Sequence, residues 1–271
     1  MIIYIITAII IAALFIDAWL IEPRLLLIRK HEISCDIKKS IRIIHFSDTH
    51  FHKHFSRTDL LRLIMKINQY EPDFIVFTGD LMDHYNQSKK LRYELPPYLK
   101  AMNARYAKLA VYGNHDIGGG AKLVYKEMME ESGFQVLRNE RIVFEKLDLA
   151  FFGIDDVLAG YEDKSITEAR LASTQVLLLH EPDFVDRLNL DAITLTMSGH
   201  THGGQIRLPF FTKLRLPKGG KKYIKGMYRI KSKLLSVNCG IGTTVLPFRF
   251  ICPSEIVLYD LKSKKNKKES G

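Results

Sequence analysis

Five short apolar runs, each of strand length and rich in β-branched residues, end in side chains able to bind cations. Residues 41–47 lead into Asp48-Thr49-His50, residues 74–78 into Gly79-Asp80-Leu81-Met82-Asp83, and residues 109–112 into Gly113-Asn114-His115-Asp116. Residues 176–179 lead into His180, and residues 193–198 into Gly199-His200-Thr201-His202. Half of the 10 histidines fall in these segments, a placement that randomly scattered solvated histidines would not produce. In α/β sheets the carboxyl ends of the strands border a crevice opened by the loops, and ligands collect there. Residues i and i+2 of an extended segment face the same side, so Asp48 with His50, and His200 with His202, can serve one site. A glycine before Asp80, Asn114 and His200 suits turns that aim a side chain off the sheet.

Four more β-rich runs occur at residues 143–147, 149–153, 234–238 and 256–260. Helical periodicity covers residues 58–68, with Leu60, Leu61, Leu63, Ile64 and Ile67 on one face and Thr58 or Asp59 as cap. It returns over residues 121–132, ended by Gly133, and in part over residues 87–102, where Pro96-Pro97 is expected to break it. Early strands separated by helices and a later strand-rich half predict an α/β sandwich rather than an all-β barrel. No repeat or low-complexity linker interrupts the body, so one catalytic domain is expected over residues 41–261.

The 271 residues are 46% apolar and 26% charged, which excludes disorder and collagen-like folds. Cys35, Cys239 and Cys252 contain no C-x-x-C pair, which excludes a disulfide framework and a thiolate zinc site and suits a reducing compartment. Carboxylate, imidazole and amide donors favour manganese, iron or zinc over copper(I) or an iron–sulfur cluster. The net charge of +10 points to anionic partners without choosing among nucleic acid, lipid and phosphorylated small molecules.

Residues 1–30 form an apolar stretch and its basic flank. Residues 2–21 are long enough to span a bilayer if Asp17 is tolerated near one end, and Trp19 sits where an interfacial aromatic would. No Lys or Arg precedes the run and bulky residues follow it, so an uncleaved single-pass anchor is expected ahead of an exported precursor or a buried core helix. Arg24, Arg29, Lys30, Lys38 and Lys39 all follow the run, which places the body in the cytoplasm by the positive-inside rule. The basic tail, residues 262–271, reads either as an anionic-leaflet contact or as a solvated, disordered end. Residues 206–225 combine Leu208, Pro209, Phe210 and Phe211 with Lys213, Arg215, Lys218, Lys221, Lys222 and Lys225, the composition of either a rim lying on an anionic bilayer or a solvated basic loop.

The five motifs, in order and without a gap, resemble the calcineurin-like metallophosphoesterases. The continuation Gly203-Gly204-Gln205-Ile206-Arg207-Leu208-Pro209 and the stretches Gly240-Ile241-Gly242-Thr243 and Cys252-Pro253-Ser254-Glu255 resemble a bacterial membrane-associated branch of that family. The resemblance implies a double-layered β-sandwich flanked by helices, preceded here by the transmembrane helix. It implies two divalent ions: one held by Asp48, His50, Asp80 and His202, the other by Asp80, Asn114, His180 and His200, with Asp80 bridging. Two such ions about 3.5–4 Å apart activate a shared water and clamp phosphoryl oxygens for in-line attack. With those ligands assigned, His115 is expected to protonate the leaving oxygen, Asp116 to orient its ring, and Asp83 to support the site rather than ligate.

The expected function is hydrolysis of a phosphodiester or pyrophosphate, of a lipid or nucleotide-linked lipid precursor at the membrane, because members of the family hydrolyse UDP-diacylglucosamine. A nuclease on the same scaffold is the alternative motivated by charge, but no stacking-plus-basic groove is evident and nucleic acid is not the expected partner. A non-catalytic membrane scaffold with structural metals is a third reading, and the intact ligand set gives it no support. No protein partner is indicated.

Overall fold

The computed structural model describes residues 1–52, 56–208, 212 and 216–264. Among these, twelve strands form two six-stranded sheets with helices outside them. The first sheet has the order β1-β12-β2-β3-β4-β5: Leu26–Cys35, Ser254–Ser263, Ile41–Phe46, Phe74–Phe77, Ala107–Ala110 and Phe134–Val136. The second has the order β10-β11-β9-β8-β7-β6: Gly226–Ile230, Lys233–Val237, Leu195–Ser198, Thr174–Leu178, Leu149–Gly153 and Glu140–Phe144. Strands β2 to β5 run parallel, as do β7, β8, β9 and β11, so neighbouring strands bring their carboxyl ends to the same edge.

Period-2 patterning splits each strand between two cores. Ile43, Phe74, Val76 and Leu109 meet Phe151, Val176, Leu178 and Met197 between the sheets. Ile44, Phe46, Ile75 and Phe77 face the other way, against helices α2 (Arg57–Asn68), α3 (Leu91–Lys100) and α5 (Tyr125–Glu131). Both faces of β3 are covered, which is why Phe-Ile-Val-Phe is continuously apolar instead of alternating. The sandwich with flanking helices is the predicted architecture.

Several details differ from the sequence reading. Helix α3 runs through Pro96 and Pro97 instead of breaking there, because Leu91, Leu95, Pro96 and Leu99 are all buried on one side and their packing outweighs the lost backbone bonds. Ser56, rather than Thr58 or Asp59, caps α2, its hydroxyl accepting from the Asp59 N–H at 3.2 Å. Strand β1 also moves the domain boundary. It starts at Leu26, inside the predicted anchor flank, and pairs along its length with β12, so residues 26–35 belong to the first sheet. Its pattern of partly exposed residues hides an edge strand from a reading of periodicity alone. The predicted tail begins within the sheet, since β12 continues to Ser263, and residues 265–271 lie outside the described residues. So do Pro209, Phe210, Phe211, Lys213 and Arg215 of the predicted rim, and His54.

Helix α1 (Ile2–Ile16) continues with altered winding through Arg24, giving 23 apolar-rich residues with none of the spanning window buried against the protein. At 1.5 Å per residue this is about 34 Å, enough to cross a hydrocarbon core of about 30 Å.

Candidate metal centre

The turns after β2, β3 and β4, the last leading into the one-turn helix α4 (Asn114–Asp116), together with those after β8 and β9, converge where the carboxyl edges of the two sheets meet. Three donor groups form there, each with its ligand atoms within 4.8 Å of one another: Asp48, His50 and His202; Asp80, His180 and His200; and His50, Asp83 and His115, which shares His50 with the first. Asp80 joins them, its Oδ2 lying 3.5 Å from His50 Nε2 and 3.2 Å from His180 Nε2. Asn114 Oδ1 lies 3.2 Å from the same His180 nitrogen. All seven predicted ligands are thus brought together, four of them, Asp80, Asn114, His200 and His202, lining a cavity of about 420 Å³ beside His115, with the His50 ring packed at a tilt against His202.

The backbone is bent to achieve this. Asp48, His50, Asp80, His200 and His202 all have positive φ, between 43° and 71°. Such conformations cost of order 1–3 kcal/mol each in non-glycine residues and persist where the surroundings over-determine them. The surroundings are close-fitting. A Cβ at Gly199 would strike Ser47 Oγ and Asp48 Oδ2, and one at Gly113 would come within 2.8 Å of His180 Cε1 as well as into Asp80 Oδ1. Both glycines are therefore required by close approach, which accounts for the glycine before each motif. The His200 N–H donates to both oxygens of Asp48, at 2.9 and 3.0 Å, and the His115 N–H donates to Asp80 Oδ1 at 2.8 Å.

The donor chemistry fits divalent cations. His180 Nδ1 lies 2.6 Å from the Thr78 carbonyl and donates to it, leaving Nε2 for a ligand; His200 Nε2 does the same toward the Lys218 carbonyl at 2.9 Å, leaving Nδ1. Fixing the tautomer through the second nitrogen is how metal-binding histidines are oriented. His50 and His202 meet Nε2 to Nε2 at 2.9 Å in a fully buried position, and His202 Nδ1 is buried without a hydrogen-bond partner among the described residues. Two imidazole nitrogens facing each other in a buried position are donors that a shared cation would partner.

The charge balance agrees. Burial, together with the His180 charge, pushes His200 down to about 3, and burial beside His50 holds His202 well below its usual value, so both rings are neutral donors. Burial opposes a charge on Asp80, but His180 and His50 outweigh it and keep the carboxyl ionised. Burial raises Asp48, with His180 pulling against it and Asp80 adding to it.

His115 lines the cavity, 26% of its side chain exposed. Its Nδ1 lies 3.2 Å from the Asp83 carboxylate and 3.2 Å from the Asp83 carbonyl. Burial disfavours charge on this ring, but the Asp83 hydrogen bond and the Asp80 charge push it up to about 9. The predicted orienting role of Asp116 is corrected here. Its buried carboxylate accepts backbone N–H bonds from Asp80 (2.8 Å), Leu81 (2.9 Å) and Gly113 (3.0 Å), so it ties two turns of the site together, while the His115 ring meets Asp83 instead. Adjacency in sequence suggested the pairing, but the one-turn helix α4 carries positions 115 and 116 in different directions.

Other predicted residues have structural positions. His45 is fully buried, 2.9 Å from Thr78 Oγ1. His31 is half-buried and stacks on Tyr259. Asp155 is paired with Arg138, and Asp156 caps a turn through the Ala159 N–H. Cys239 and Cys252 are buried, as expected of small apolar groups. The sequence reading gave no role to Arg249, whose fully buried guanidinium donates to the carbonyls of Cys239, Gly240, Gly242 and Cys252. Its signal was the glycine-rich stretch from residue 240 to 243, whose inward-facing carbonyls require a donor.

Comparison with known proteins follows the same line. The family model for calcineurin-like phosphoesterases matches residues 41–204. The chain is 38% identical over 255 residues to the uncharacterized metallophosphoesterase YkuE of Bacillus subtilis, covering 90% of this chain and 88% of that protein. It is 29% identical to a zebrafish transmembrane protein with metallophosphoesterase domain, covering 82% of this chain and 53% of that one. Among solved structures, the NAD nucleotidase of Haemophilus influenzae is similar with a TM-score of 0.49 and 13% identity, over 74% of this chain and 45% of that chain. The matched residues span all but the first and the last three strands of the sandwich and every donor described above, and the chain belongs to the calcineurin-like metallophosphoesterases, metal-dependent hydrolases of phosphoesters.

Proposed function

We propose that the protein is a membrane-anchored phosphoesterase using two divalent ions, manganese foremost with iron or zinc as substitutes, and that it hydrolyses a phosphodiester or pyrophosphate of a lipid or nucleotide-linked lipid precursor. The observation that carries the lipid reading is the helix Ile2–Arg24: its spanning window is entirely unburied, so its apolar surface needs a lipid environment. Arg24 ends it, Arg29 and Lys30 follow closely, and the three charges support a cytoplasmic body. The naming of the zebrafish relative as transmembrane is in keeping with an anchor.

Asp48, His50, Asp80 and His202 would hold one ion, and Asp80, Asn114, His180 and His200 the other. Bound there, divalent ions supply positive charge to a phosphoryl group and activate a water. The chain's own residues do the rest. Asp83 engages His115 Nδ1, so Nε2 is the nitrogen that delivers a proton to the departing oxygen. Asp83 acts here as a positioning residue. Asp116 holds the turns of Asp80 and Gly113 together, and the Thr78 and Lys218 carbonyls hold His180 and His200 in register.

The test uses full-length protein in mixed micelles, stripped of metal and reloaded with manganese, against p-nitrophenyl phosphate, bis(p-nitrophenyl) phosphate and UDP-diacylglucosamine. Faster turnover of the diester or the lipid pyrophosphate than of the monoester is expected. A clear preference for the monoester overturns the substrate class. For orientation, protease added outside sealed inside-out vesicles should digest the body; protection there, with digestion in right-side-out vesicles, overturns the cytoplasmic placement.

A further inference from the structure

Between β11 and β12 the chain makes a long excursion, residues 238–253, whose two halves do different things. The first half braces the metal centre. The Gly242 N–H donates to the Asp48 carbonyl at 2.8 Å, and Gly240 packs on Asp48 so closely that a Cβ would lie 2.8 Å from the Asp48 Cβ. The second half carries Thr244, Val245 and Leu246 along the rim of the metal-site cavity. It then clasps the apolar helix. The Phe248 ring sits 5.3 Å from Phe15 and 6.5 Å from Trp19, the Arg249 N–H donates to the Ala18 carbonyl at 2.9 Å, and the buried Glu22 carboxylate accepts from the N–H groups of Ile251 and Cys252. The Arg249 guanidinium bonds carbonyls from both halves, so clasp and brace form one unit.

These contacts fix the depth of the loop. A helix crossing a bilayer places its last turns, here residues 15–22, at the interface, and a loop bonded to those turns lies at the same level. The side chains it exposes are apolar: Val245 is 90% and Ile251 60% exposed, and Leu208, beside the Arg207–Phe250 backbone bond, is also exposed. Val245 and Ile251 have φ of 64° and 55°, a region β-branched residues avoid. A loop surrounded by water would take glycine or asparagine at such positions. Valine and isoleucine there make sense when the side chains have an apolar phase to enter.

We propose that residues 244–251, with Leu208, form a lip seated in the bilayer surface beside the anchor, so that the metal-site cavity opens at headgroup depth and takes an amphiphile whose phosphoester lies there. This rests on the anchor reading above and adds where the mouth sits and how substrate reaches it: laterally, from the lipid surface.

The test reconstitutes full-length protein in phosphatidylcholine–phosphatidylglycerol vesicles with an environment-sensitive fluorophore on Val245→Cys, Ile251→Cys, Ile10→Cys or, as an exposed control on α3, Tyr93→Cys. The three native cysteines are buried. Expected is quenching of position 10 by lipids spin-labelled in mid-chain, quenching of positions 245 and 251 by lipids spin-labelled near the headgroup, and none at position 93. Quenching at 10 with 245 and 251 behaving like 93 overturns the lip and leaves the anchor standing. No quenching at 10 overturns the anchor, and the lip with it. A second arm uses Val245→Asn/Ile251→Asn, whose asparagines tolerate the left-handed backbone. The ratio of its rate on a vesicle-embedded fluorogenic lipid phosphodiester to its rate on bis(p-nitrophenyl) phosphate should fall at least about tenfold, the scale of losing just one of the two aliphatic insertions. An unchanged ratio overturns lateral entry.

Discussion

Asparagine at position 116 keeps the shape of the side chain and turns one acceptor oxygen into an amide donor. In the native fold Oδ2 accepts from the N–H of Asp80 and of Gly113, and Oδ1 from that of Leu81. The amide can offer its oxygen to only one side; the better choice keeps Asp80 and Gly113 and sets an NH₂ against the Leu81 N–H. The lost bond to a charged acceptor contributes about 1.5–3 kcal/mol, with a further cost for the buried N–H left without a partner. Burial and the neighbouring Asp80 charge push the Asp116 pKa up, so removing its charge relieves some repulsion. The expected net loss is about 2 kcal/mol of folding stability. Because the same N–H bonds fix the turn that carries Asp80, manganese affinity should fall about 10–100-fold. Calorimetric manganese titration and thermal unfolding of Asp116→Asn read both effects, and turnover at saturating manganese should largely recover. Full metal affinity and an unchanged unfolding midpoint, with turnover lost, would refute the assignment and return Asp116 to a role acting through His115.

Three further substitutions probe separate parts of the centre. His115→Asn should retain both metal ions and lose about 10²–10⁴ in turnover, since it removes a proton donor and no ligand; a rate equal to the parent's argues against that role. Gly199→Ala drives a methyl group into Asp48 Oδ2 and Ser47 Oγ, so metal analysis should find the ion of the Asp48 group depleted; two equivalents retained would contradict the close approach. His45 is held by burial down to about 3, so below about pH 6.5 the unfolded chain takes up a proton that the fold refuses. Stability should therefore drop as pH falls from 6.5 toward 3, by about 2 kcal/mol at pH 5 from this ring. Denaturant titrations of metal-free protein at pH 7 and pH 5 should show that difference shrinking in His45→Phe, and equal slopes in both proteins would count against it.

Strands in the middle of the sheets were legible because burial on both faces leaves no freedom in their composition: Phe74–Phe77 and Leu149–Gly153 are apolar throughout and are found where the runs predict them. Boundaries slid where turns intrude. The run predicted at residues 143–147 is realised as Glu140–Phe144, because the chain reverses at residues 145–148, with Asp148 at a φ of 55°. Edge strands were the least legible. Leu26–Cys35 and Gly226–Ile230 pair on one side only, so polar residues are tolerated along them and no periodicity marks them.

The donors of the site were legible for the opposite reason: they violate the rules for the positions they occupy. Asp48, Asp80, His200 and His202 are charged or polar, buried, and placed on left-handed backbone, three costs a stable fold without a ligand would shed. What sequence cannot display is which group answers which cost, because that depends on direction in space. Asp83 and Asp116 both lie near His115 in the chain or across a turn, and only the geometry assigns the ring to Asp83 and the backbone amides to Asp116. Arg249 shows the same limit at longer range. Its charge is buried among carbonyls of the loop that supports Asp48, while its own N–H holds the end of the apolar helix. A single residue thus links the helix to a metal ligand through bonds that no spacing in the sequence announces. The consequence is mechanical: the helix cannot move away from the body without disturbing the loop against Asp48, which makes the apolar helix part of the site's support.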